Sequence, residues 1–121
     1  MAAQTSIERI PLSGSTYGRM IKVVPTSTAG TLIHTATAST TDTLDEVWLW
    51  AVNSDGTARK LTIEYGGVAS PDDLIEITIA AESGFTQVLP GLVLQNGLVI
   101  RAFCATANVV MVGGYVNRIS P

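Results

Sequence analysis

The chain has 121 residues, 46% of them hydrophobic and only 14% charged, with seven basic against ten acidic side chains for a net charge of −3. That length builds one domain around its own core, and the composition excludes a disordered or charged solvating segment. Scattered charges with no basic cluster exclude an electrostatic footprint for nucleic acid, and a lone cysteine excludes an internal disulfide.

The first stretch, MAAQTSIERIPLSGSTY, carries Ile7, Ile10 and Leu12 among turn formers without regular alternation. It reads as an extended N-terminal arm, 1–17, ahead of a domain over 18–121, and it lacks the basic-then-apolar pattern of a secretion signal, so cytoplasmic synthesis is expected. From Gly18 onward β-branched residues dominate and no window repeats apolar residues at helical spacing. About eight short runs bounded by turn residues are expected as strands: Arg19 to Val24, Thr31 to Thr37, Glu46 to Val52, Lys60 to Tyr65, Leu74 to Ile79, Thr86 to Leu89, Leu98 to Cys104 and Val109 to Asn117. Their even spacing is the signature of an all-β fold, an antiparallel β-sandwich of jelly-roll-like type.

The turns follow the same logic. LDEVWLWAVNSDGTARKLTIEYGG, residues 44–67, reads as a hairpin about the polar NSDG. Asn96-Gly97 suits a two-residue turn with positive φ at both positions, which predicts that Val93-Leu94 pairs with Leu98-Val99. Pro25 and Pro90 are expected at strand ends, where a missing donor costs little.

Alternation along each strand sorts residues by face. Lys60, Thr62 and Glu64 oppose Leu61, Ile63 and Tyr65, giving one wet face and one dry face. The strand before it differs, because Val47, Leu49 and Ala51 fall on one side, Trp48, Trp50 and Val52 on the other, and neither set is polar. The last strand repeats this with Val109, Met111, Gly113 and Tyr115 opposite Val110, Val112, Gly114 and Val116. A sandwich buries one face of each sheet, so the second apolar face needs a cover. One reading makes the Trp face the core and covers the Val47 face with the arm or a loop. The favoured one covers a face with a neighbouring subunit or another protein, because so few charges leave little to coat a free surface that usually carries roughly 25 to 35% of them. The interface candidates are Val47, Trp48, Leu49, Trp50, Val109, Met111 and Tyr115, with Ile7, Ile10 and Leu12 from the arm.

Chemistry-bearing patterns are sparse. His34 is the only histidine, so one chain cannot assemble a His pair or a Cys/His zinc set, and no G-x-S-x-G is present. His34 is expected to be a hydrogen-bonded structural residue and Cys104 a small core hydrophobe. Asp72, Asp73 and Glu76, or Asp42, Asp45 and Glu46, are close enough in sequence to hold a hard cation, although turn chemistry and solvation explain them more simply. No enzymatic activity, cofactor, metal, membrane contact or small-molecule substrate is expected.

The succession GRMIKV, TLIHTAT, LDEVWLWAVNSDGTARKLTIEYGG, SPDDLIEITIAAESG, PGLVLQNGLVIRAF and VGGYVNRI, over Gly18 to Ile119, resembles small β-sandwich virion proteins of tailed bacteriophages. The resemblance is one of layout and carries no functional residue across. It implies a head decoration or cement protein on the capsid surface, a homo-oligomer (trimer or dimer) bound to the major capsid protein. The alternatives are a tail or fibre component of the same virion, or a carbohydrate-binding module.

Overall fold

The computed structural model describes residues 2–121, which form nine strands and no helix. They are β1 Ser6–Pro11, β2 Ile21–Lys22, β3 Thr31–Thr35, β4 Leu44–Asn53, β5 Arg59–Tyr65, β6 Leu74–Ile79, β7 Thr86–Leu94, β8 Val99–Cys104 and β9 Val110–Ser120. One antiparallel sheet runs β1-β9-β4-β7, with β2 also paired to β9, and the other runs β3-β8-β5-β6. The pairs β2·β9, β3·β8, β4·β7 and β5·β6 are nested, as in one long hairpin whose tip is the β5–β6 turn. Wrapping that hairpin brings β4 against β9 and β5 against β8. This is the winding of a jelly roll, the double-sheet architecture expected from the strand spacing.

Both expected local hairpins are corrected by this winding. β4 and β5 lie in different sheets, so NSDG carries the chain across the sandwich instead of closing a paired hairpin. The Asn96-Gly97 turn has the expected backbone, with φ of 63° and 65°, and Leu98 N–H bonds Gln95 O across it at 3.3 Å. Yet β7 and β8 also belong to opposite sheets. The turn chemistry fixes a reversal and leaves open which strands pair.

Alternation along β4 settles which apolar face is internal. Asp45, Val47, Leu49, Ala51 and Asn53 are buried, and the residues between them, including Trp48 and Trp50, are half-buried on the outside. The alternative that put the tryptophans in the core is therefore corrected. Two sheets about 10 Å apart interdigitate Val, Leu and Ile most closely. Leu49, Leu61, Ile63, Ile79 and Ile100 are fully buried there, each stabilising the fold by about 1.5–3 kcal/mol. Cys104 lies in the same core as a free thiol.

Within the arm expected over 1–17, Met1 lies outside the described residues; β1 pairs in register with β9 from Ser6↔Ser120 to Pro11↔Tyr115, Leu12 is buried, and 13–17 form turns and bends. Gly14 N–H bonds Ile33 O at 2.9 Å. The accessible surface is 6165 Å², matching the roughly 6,200 Å² of a compact monomer of this mass.

Two further expectations change. Pro90 sits inside β7 instead of at its end; β7 is the edge of its sheet, where a missing N–H is tolerated. Register shifts make Gly91 the unpaired extra residue between Leu92↔Val47 and Pro90↔Trp48, a bulge with φ of 86° that glycine adopts without strain. The supposed wet face of β5 is partly dry, for Thr62 and Glu64 are buried. The segment between β2 and β3 folds over Glu64, whose carboxylate accepts from Gly30 N–H at 2.7 Å and from the Thr28 hydroxyl.

Candidate binding face

The outer face of the larger sheet is set by register. Antiparallel pairing puts Trp48 opposite Tyr115, Trp50 opposite Gly113, Val52 opposite Met111 and Glu46 opposite Asn117. Arg9 and Pro11 continue the face on β1 beside Asn117 and Tyr115. Ring centroids are 6.4 Å apart for Trp48–Trp50, 6.2 Å for Trp48–Tyr115 and 6.0 Å for Trp50–Tyr115, with interplanar angles of 17°, 21° and 33°. A face-to-face column would place its first and third rings at twice the neighbour spacing, so this near-equilateral triangle spreads the rings over the sheet.

A polar chain fixes the cluster along one side. The Trp48 indole N–H donates to Glu46 Oε1 at 2.7 Å, and Asn117 Nδ2 donates to the same oxygen at 3.1 Å. Arg9 Nε donates to Asn117 Oδ1 at 3.3 Å, and its guanidinium carbon lies 4.5 Å from the Tyr115 ring centroid, a cation–π geometry. Gly91 packs beneath Trp48, because a Cβ there would come within 2.8 Å of Cζ2.

On the other side the face dips. An apolar hollow of about 350 Å³ lies there, lined by Met20, Trp50, Phe85, Gly113, Gly114 and Tyr115. Met20 leans over Gly113, where a Cβ would collide with its sulfur. Phe85 stands at the rim with 72% of its surface exposed.

The ten residues expected at an interface thus divide. Trp48, Trp50, Met111 and Tyr115 share the outer face. Ile7 is exposed on β1, while Ile10 and Val109 are partly buried against the core. Val47, Leu49 and Leu12 are core residues that no partner can touch, and those three assignments are corrected. Sequence reasoning missed Arg9, Met20 and Phe85. Only Phe85 left a signal, an aromatic ring directly after the turn formers ESG.

The polar groups beneath β4 have a structural chemistry. Ser13 N–H donates to His34 Nδ1 at 3.0 Å, which makes that nitrogen the acceptor and puts the ring proton on Nε2, 2.8 Å from Asp45 Oδ2. Asp45 also accepts from Thr37 N–H at 3.0 Å and from Arg118 at 2.8 and 3.0 Å. Burial pulls the Asp45 carboxyl upward, but the hydrogen bonds from Arg118, His34 and Thr37 and the Arg118 charge outweigh it and hold the group below the ordinary carboxylate range. The same pairing raises Arg118.

Ser13, His34 and Asp45 do not form a nucleophilic relay, because Ser13 meets the imidazole through its backbone N–H while its hydroxyl accepts from Thr35 N–H at 2.7 Å. Asp45 and Glu46 lie on opposite faces of β4, and Asp73 bonds the Ala69 N–H of its own turn at 3.0 Å. Among the described residues no three His, Cys, Asp or Glu side chains gather as metal ligands. Comparison with protein-family models, with curated proteins and with solved structures finds no match for the chain.

Proposed function

We propose that this chain is a non-enzymatic structural subunit of a tailed-phage virion, a head decoration or cement protein on the capsid surface whose aromatic face is covered by protein in the assembly. The observation that carries the reading is the outer face of the larger sheet. Trp48, Trp50 and Tyr115 cluster there beside an apolar hollow, on a body otherwise as compact as a monomer, and an apolar patch of this kind marks a contact surface. A jelly roll is also an architecture of viral capsid and lectin domains, an analogy of fold that adds support without assigning a role. Stabilising an assembled lattice requires only binding to the assembled state, with no bond made or broken.

Immunogold labelling of particles purified from the culture that produces the protein tests this. Gold over the heads is the expected result. Gold confined to the tails favours the tail or fibre alternative, and unlabelled particles overturn the proposal. The carbohydrate-binding alternative has the rings in its favour, but Arg9 already occupies a face of Tyr115, which leaves less open aromatic surface for a sugar.

A further inference from the structure

We propose that a second copy of this chain covers the aromatic face, in a two-fold dimer where Phe85 of each protomer enters the Gly113–Gly114 hollow of the other. The proposal rests on the reading that protein covers this face, and it names which protein and through which residues.

A self-complementary contact needs a projection and a matching recess on one patch, since a two-fold axis presents the same patch from both sides. Both are here. Phe85 is a large apolar ring with 72% of its surface in water, and it stands at the edge of a recess lined also by Met20, Trp50, Gly113, Gly114 and Tyr115. A hollow of about 350 Å³ is apolar almost throughout and lies at the small end of the roughly 300–1,000 Å³ typical of ligand pockets. One aromatic side chain suits it better than a cofactor that would need converging polar groups. Because projection and recess adjoin, the arrangement favours a closed dimer over a three-fold ring, which would place them on different sides of the protomer.

Charge and area permit it. By register Glu46, Arg9 and Lys22 lie on this face. Glu46 Oε1 is engaged by Trp48 and Asn117 and Arg9 by Asn117 and the Tyr115 ring, so two copies meet without opposed bare carboxylates, and Lys22 is the cation the contact must leave in water. The face runs roughly 33 Å along β4 and roughly 19 Å across four strands. Allowing for side-chain relief, that approaches the about 800 Å² per partner of a standard stable interface.

Sedimentation velocity of the full chain up to about 100 µM, with wild type beside Phe85→Ala and Val68→Ala, tests it. Expected are a dimer for wild type and for Val68→Ala, whose half-exposed side chain lies outside the hollow's lining, and at least about tenfold weaker association for Phe85→Ala. Dilution of wild type through its dissociation midpoint should shift tryptophan emission to longer wavelength as Trp50 is uncovered. Phe85 lies outside the buried core, so thermal melting of dilute Phe85→Ala should match that of dilute wild type, separating lost contact from lost fold. A monomer at the highest concentration overturns the inference, as does a dimer indifferent to Phe85→Ala. Quenching of a monomeric wild type by an oligosaccharide panel also overturns it, in favour of a glycan. A monomer whose antibody labels virion heads would sink the dimer alone, and a Phe85-dependent dimer absent from particles would sink only the virion role.

Discussion

His34 Nε2 lies 2.8 Å from Asp45 Oδ2, with both side chains sealed from water. The imidazole joins Ser13, just beyond β1, to the start of β4, and Arg118 on β9 grips the same carboxylate from the solvent side. Four chain segments therefore meet at one charge. Replacing Asp45 by alanine strands a buried imidazole N–H and the Thr37 N–H and leaves Arg118 without its partner. Breaking a buried pair costs about 3–5 kcal/mol. Arg118 is one-third exposed and can rehydrate, so about 3 kcal/mol is expected, roughly 10 °C or more in Tm for a domain of this size. Calorimetry of Asp45→Ala against wild type measures it, and an unchanged Tm would remove the carboxylate from the account of stability.

The same carboxylate sets an acid limit. Its folded pKa is depressed, so between the folded and unfolded values the unfolded chain binds more protons and stability rises with pH. The contribution is therefore complete above the unfolded value, about 3.9, and is lost as pH falls from there through the folded pKa. Urea midpoints of wild type and Asp45→Asn should differ most near neutrality and converge below about pH 4. A gap that stays constant to pH 2.5 would contradict the assignment.

The strands were legible in the sequence because β-branched and apolar residues fill short runs, with a polar–apolar period of two in β5, and the turn formers mark where each run stops. Pairing was not legible. The nested pairs join segments as distant as Ile21 and Val112, and nothing local in NSDG or Asn96-Gly97 says whether the strands on either side share a sheet. β4 also reads as apolar on both faces. Packing decides that Val47 and Leu49 go inside and the two indoles go outside, where Tyr115 and the bulge at Gly91 receive them. Glu64 was misplaced for a similar reason, since the Gly30 N–H that satisfies it lies 34 residues away. The candidate face was half legible: the rings of β4 and β9 could be named, whereas Arg9, Met20 and Phe85 reach it only through long-range pairing and loop placement.

Gly91 and Gly97 both have positive φ, 86° and 65°, but only Gly91 faces a neighbour. A Cβ at Gly91 meets the Trp48 ring at 2.8 Å, while one at Gly97 meets nothing within 4 Å. Gly97→Ala should cost only the left-handed backbone term, about 1–2 kcal/mol. Gly91→Ala should cost that and displace Trp48 as well. Chemical denaturation reads the first effect, and near-ultraviolet circular dichroism of the folded proteins separates the two variants. Identical aromatic spectra would mean that Gly91 does not seat the indole.

Glu64 offers the sharpest check on the segment between β2 and β3. Its carboxylate is fully buried and accepts from Gly30 N–H and the Thr28 hydroxyl, while Arg101 Nη1 donates to Gly30 O at 3.3 Å on the adjacent strand. The segment is thus held on the sheet through Gly30 from both sides, by an acceptor for its N–H and a donor for its carbonyl. Glu64→Ala deletes the acceptor and leaves Gly30 N–H buried without a partner, a loss of about 1–3 kcal/mol. Glu64→Gln retains an amide oxygen for Gly30 and should recover much of it. Because β5 stays paired on both sides with β6 and β8, the damage should be local. Hydrogen exchange at Gly30 is expected to accelerate in Glu64→Ala well before exchange at Ile63, whereas equal acceleration at both would mean that Glu64 supports the whole sheet instead of this one segment.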